Sequence, residues 1–186
     1  MELAVEMIVT YYDWANVRGS YSNGSVLPGA IEDLCSATVR ENAELAVRRI
    51  EQVCPADSEL SDASVALASC LVHATWSRSE ISLDLILGLL DDMATGQGEV
   101  RGDDEYLDVR AKFLREVCRG FPIYVELLET HPDHDVRTAC IDLISICGLF
   151  DKSLTERAAW VLGAAKKLER MEEFHSLIDA SIDDLR

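Results

Sequence analysis

The sequence predicts an all-α fold. Apolar residues recur at steps of three and four along most of the chain, and three Ser/Thr-x-x-Glu boxes stand ahead of such runs. Strand patterns are poor throughout. The stripe from 39 to 54 shows the period: Val39, Ala43, Ala46, Val47, Ile50, Val53 and Cys54 share one face, while Arg40, Glu44, Arg48, Glu51 and Gln52 face away. The boxes are Thr38 with Glu41, Ser77 with Glu80, and Ser153 with Glu156. In each, the hydroxyl accepts from an orphan N–H and the glutamate reaches back to the cap.

Taken in order, Met7 to Tyr12 reads either as a strand or as the start of a helix running into Trp14. Helices are then expected near 27–37, 39–54, 60–76, 79–95, 103–119, 121–130, 133–149, 153–169 and 172–184. Pro28 and Pro122 fall in first turns, where the missing N–H costs nothing. Gly96, Gly98 and Gly102 belong to an acidic connector, and Gly120 suits a left-handed helix end. The 60–76 and 79–95 helices are apolar almost all round, so each needs neighbours on several sides and should be central. The 172–184 helix is polar enough to be a terminal cap.

Composition narrows the function. The chain has 186 residues, 48% of them apolar, which suits one domain with a core of its own. Its 34 Asp+Glu against 17 Lys+Arg give a net charge of −17. That excess argues against nucleic acid and against an anionic membrane surface as partners. The N-terminal residues lack the pattern of a signal peptide, and no apolar run approaches the roughly 18 residues of a membrane span. Cys35, Cys54, Cys70, Cys118, Cys140 and Cys147 form no Cys-x-x-Cys and lie in apolar helical patterns, as reduced core residues of a cytoplasmic protein would.

No catalytic signature emerges. Gly-x-Ser-x-Gly, the P-loop and the dinucleotide fingerprint do not occur. His131 and His134 with Asp133 and Asp135 have the spacing of two metal ligands in a loop, but nothing completes a set, so they read as turn and cap residues. His73 reads as a satisfied core or groove histidine. Neighbouring carboxylates such as Asp91–Asp92 point about 100° apart on a helix, which makes them poor acid/base pairs. No cofactor and no metal are expected.

Charge placement is more informative. Between 79 and 105 lie eight acids and one base, and between 126 and 151 six acids and one base. Basic residues gather at Arg48-Arg49 and at Lys166-Lys167-Arg170. The acids are either a solvated face that aids solubility or an anionic docking face for a basic protein. Candidate partner-binding residues are Asp91, Asp92, Asp103, Asp104, Glu105, Asp133 and Asp135. The aromatic group Tyr11, Tyr12, Trp14 and Tyr21 either anchors a partner or caps the first helix pair.

A family resemblance rests on residues 121–148. Pro122, Leu127 and Leu128, then Asp133 in a tight turn, then Val136-Arg137 opening a second helix with Ala139 and Leu143, resemble a HEAT-type repeat. Leu27-Pro28 through Ile50 is a degenerate echo. The order Trp14, Tyr21, Pro28, Leu34 resembles the N-terminal region of a family of bacterial HEAT-like proteins. The resemblance implies one domain over 1–186, a right-handed alpha-alpha superhelix of degenerate HEAT-like repeats. It also implies a structural Arg137 that bonds toward the Asp of a neighbouring turn.

With the acidic charge, the resemblance points to a non-catalytic protein-binding protein. The concrete form is an immunity-type protein that neutralises a basic toxin, such as a nuclease, by direct binding. The alternatives are a cytoplasmic adaptor or scaffold using a concave surface, and an enzyme of unknown reaction. HEAT-like enzymes that act on DNA bases need a basic concave face, and the charge here has the opposite sign.

Overall fold

The computed structural model describes residues 3–20, 22–56, 59–77, 79–95 and 104–186. Among these the chain is all-α: ten α-helices, three short 3₁₀ turns and no strand. The helices are α1 (Leu3–Tyr11), α2 (Leu27–Ser36), α3 (Arg40–Glu51), α4 (Asp62–Ala74), α5 (Leu83–Thr95), α6 (Asp104–Arg119), α7 (Phe121–Thr130), α8 (His134–Phe150), α9 (Thr155–Ala165) and α10 (His175–Asp184). The chain divides into two compact units, Met1–Glu116 and Val117–Arg186.

In the first unit α4 lies against α1, α2 and α5, and α5 lies against α3. The near-absence of a polar face on α4 explains its place. Ten of its thirteen residues are buried, among them Leu67, Cys70 and Leu71. The expectation that this helix is central is met within its unit. Its start is fixed by a capping box the sequence reading missed, because it uses Ser64 where a glutamate was sought. The Ser61 hydroxyl accepts from the Ser64 N–H, and the Ser64 hydroxyl accepts from the Ser61 N–H.

In the second unit α8 lies against α7, α9 and α10, and α10 also lies against α9. Pro122 sits in the first turn of α7, as Pro28 does in α2. Gly148 lets α9 approach α8, since a Cβ there would stand 2.7 Å from both the Ala158 Cβ and a Leu185 methyl. Arg157 lies over the Phe121 ring at 5.4 Å and ties the start of α7 to α9.

One local alternative is decided, and several local expectations are corrected. Met7 to Tyr11 is helical: Val5 and Val9 are buried one turn apart, and the Thr10 hydroxyl donates to the Glu6 and Met7 carbonyls. Neither the Thr38–Glu41 box nor the Ser153–Glu156 box forms, and the Ser77 side chain lies outside the described residues. At α3 the N-cap is Val39, and Arg40 fixes the first turn by donating to the Asp84 carboxylate at 2.6 Å and the Ile81 carbonyl at 3.2 Å. Ser77 ends a 3₁₀ turn that prolongs α4, so α5 begins only at Leu83. Ser153 donates instead to the Asp151 carboxylate, from N–H and hydroxyl both, which holds that carboxyl below its ordinary range. Gly120 is right-handed (φ −78°, ψ −8°), so its role is close approach and not a left-handed turn. Tyr21, Gly96, Gly98 and Gly102 lie outside the described residues.

Candidate functional site

The candidate site is built on the turn between α7 and α8. Asp133 takes an extended conformation, and one carboxylate oxygen accepts from the Asp135 N–H at 2.9 Å and the Val136 N–H at 3.1 Å. It is the N-cap of α8, a place that favours a negative charge. The His131 ring accepts from the Asp133 N–H at 3.2 Å, which closes the turn. Asp135 follows in the first turn with its side chain 84% exposed.

Arg137 then joins this turn to the connector between α9 and α10. Its Nε donates to the His131 carbonyl at 2.7 Å, and its Nη1 to the Glu169 carbonyl at 3.0 Å. Met171 Sδ lies 3.5 Å from the same nitrogen. The role is structural, but its partners are backbone carbonyls and not the aspartate that the resemblance implied. His134 reinforces the junction, with its ring 4.5 Å from the Phe174 ring and its Nε2 3.3 Å from Glu173. Replacing Arg137 by alanine should cost about 2 kcal/mol, because two carbonyls lose a charged donor. Arg137→Lys should recover only part of it, since one ammonium cannot span both carbonyls. Urea unfolding of the three proteins checks this.

The junction gathers acids from two stretches of sequence. Glu129, Asp133 and Asp135 come from the α7–α8 side, and Glu169, Glu172 and Glu173 from the connector, all exposed. Four bases share these segments, and Lys166 is paired with Asp179. Arg137 is turned onto the carbonyls, while Lys167 and Arg170 are exposed. Arg170 is also the one described non-glycine residue with positive φ, at 61°. That conformation is strained for a side chain of this kind and marks the connector as a shaped segment. The connector acids lay beyond the 126–151 run, so charge counting along the chain did not bring them in.

The other candidates are placed differently. Asp91 is half-buried on α5 with one carboxyl oxygen inside, while Asp92 beside it is exposed. Asp84, from the same acidic run, is bonded to Arg40. Asp103 lies outside the described residues, and of Asp104 and Glu105 only the backbone at the start of α6 is described. Trp14 is 6% exposed, and its indole N–H donates to the Val9 carbonyl at 2.7 Å. It therefore packs against α1, with the Tyr12 ring 5.4 Å away. Among the described members Tyr11, 78% exposed, is the most open to a partner. Trp160 on α9 is 72% exposed, an interface-type side chain that its helical period alone did not single out.

The chemistry of the remaining groups is quiet. Among the described residues no three His, Cys, Asp or Glu side chains gather as a metal site. Burial pushes the Cys35 and Cys54 thiols up to about 11 and Cys70 up to about 12, which keeps them protonated at neutral pH. In the Cys118–Cys147 pair the hydrogen bond between the thiols lowers Cys118 and raises Cys147. The His73 ring bonds the Ser69 carbonyl at 2.7 Å, and the His175 ring the Lys166 carbonyl at 3.0 Å. No described helix is long and apolar enough to cross a membrane. Compared with known proteins, the chain matches no protein family, no curated protein and no solved structure.

Proposed function

We propose that this chain is a non-catalytic protein-binding protein of HEAT-like helical repeats in one right-handed superhelix, and that it docks a basic protein. In its concrete form it is a bacterial, cytoplasmic, immunity-type protein that covers the positive surface of a toxin. One observation carries the reading: Arg137 and His134 hold two acid-bearing segments together at one end of the second unit. Carboxylates fixed on a rigid junction present their charge without first being ordered, so less entropy is lost on docking. They also raise the encounter rate with a basic partner and disfavour acidic ones. The α7–α8 pair supports the repeat reading, since Pro122 lies in the first turn of α7, Asp133 caps α8 and Arg137 bonds the carbonyl that follows α7.

Reversing Asp135, Glu172 and Glu173 to lysine tests the proposal. Asp133 is left alone because it caps α8. The triple variant should keep its helical circular dichroism, melt only slightly lower through loss of the exposed His134–Glu173 contact and of the Asp135 charge in the first turn of α8, and bind its basic partner at least about tenfold more weakly. Parallel pull-downs at low ionic strength, compared by mass spectrometry, check this. Recovery of the same proteins in the same amounts by both baits contradicts the proposal.

An adaptor using a concave surface is the second reading. It is favoured by a groove in the first unit whose charge has the opposite sign.

A further inference from the structure

We infer that the groove between α2 and α3 is a binding site for a short acidic peptide segment of a partner protein, one with an apolar side chain next to a carboxylate. This does not depend on the docking of a basic partner at the second unit. On α3 and its C-cap, Asn42, Leu45, Arg49 and Gln52 follow at steps of three and four and so share one face. The last turn of α2 and Ala37 form the opposite wall, and the groove holds about 590 Å³. That is within the size range of built ligand clefts, roughly 300–1,000 Å³.

The lining dictates the ligand. Leu45 is 55% exposed and forms, with Ala37 and Ala46, the apolar part of the lining. Arg49 is bonded to Asp33 across the groove, which fixes its guanidinium and uses its charge. Arg48, exposed in the same lining, makes no ion pair with a described residue and is the group available to a carboxylate. The Asn42 and Gln52 amides each carry both a donor and an acceptor, which suits a peptide backbone.

Both arginines also sit in the last turn of α3, where they complement the helix dipole. The dipole explains their sign and leaves the exposed leucine between the polar side chains unexplained. A long polyanion is disfavoured by the net charge of −17. A short peptide meets chiefly the charges within the Debye length of about 8 Å, and the lining carries Arg48 beyond its Arg49–Asp33 pair.

The test is amide NMR of the full chain. The probe is a pool of synthetic eight-residue peptides, each with two leucines and three Asp or Glu, at up to about 1 mM. The expected result is saturable shifts at Thr38, Asn42, Leu45, Arg48 and Gln52. Arg48→Glu and Leu45→Ser should each weaken them at least tenfold, and a pool with lysine for the acids should not produce them. Four results would overturn the inference: no saturable shift, equal shifts with the lysine pool, equal shifts with sodium hexanoate, or groove signals that move on dilution of the protein alone. The last two would assign the groove to a small carboxylate and to a second copy of the chain.

Discussion

Replacing Gly120 by alanine is expected to destabilise the second unit by about 3 kcal/mol, a large effect for one methyl group. The added Cβ would fall well inside contact distance of the Tyr124 phenol and 2.9 Å from its Cε1. Tyr124 cannot step aside cheaply. It is fully buried, and its hydroxyl donates to the Val117 carbonyl at 3.1 Å. Moving the ring would lose that bond and overpack neighbours at native density. A Gly→Ala change at an ordinary φ gains about 0.4–1 kcal/mol through the unfolded chain, and here the steric cost outweighs it. Urea unfolding measures the loss. In a cycle with Tyr124→Ala, the double variant should be clearly less destabilised than the sum of the singles, because removing the ring removes the clash. A Gly120→Ala protein within about 0.5 kcal/mol of the parent would contradict this account of the α6–α7 junction.

Leu71→Ala is expected to cost the first unit about 4 kcal/mol, toward the upper part of the range for buried leucines. Leu71 is fully buried on α4, which has α1, α2 and α5 against it. Its neighbours one turn away on the same helix include Ala68 and Ala74, which are too short to fill the space left behind. Leu45→Ala, on an exposed face of α3, should shift stability by less than about 0.5 kcal/mol. Thermal melts give the size of each effect, and hydrogen exchange shows whether protection is lost in α4 and α5. Equal effects for Leu71 and Leu45 would mean that α4 is not the core of its unit.

Helix existence was readable because most helices bury one stripe. The expected 121–130 coincides with α7, and 133–149 differs from α8 by one residue at each end. Helix starts were read less well. A Ser/Thr-x-x-Glu pattern is local, whereas Arg40 reaches the Ile81 carbonyl ahead of α5 and Asp84 in its first turn, and Ser153 is captured by Asp151. The first helix was ambiguous because its run of branched and aromatic residues suits either period until Val5 and Val9 find the same core. Asp133 as a helix cap was legible, since its signal is local. The two carbonyls bonded by Arg137 were not, because the Glu169 carbonyl is 32 residues away and arrives only through the packing of α9 and α10. The groove was hidden for the same reason. Arg48, Leu45 and Ala37 are unremarkable singly, and two helices have to pack before they line one cleft.

The claim that the acidic junction steers a basic partner is tested most directly by the salt dependence of the association rate. The measurement uses the full chain and the partner that the pull-down recovers. The rate is expected to fall about tenfold or more between 0.05 and 0.3 M salt, with dissociation changing little. The Asp135, Glu172 and Glu173 reversals should flatten that dependence. An association rate independent of salt, or equal for parent and variant throughout, would show that the carboxylates serve only to keep the protein in solution.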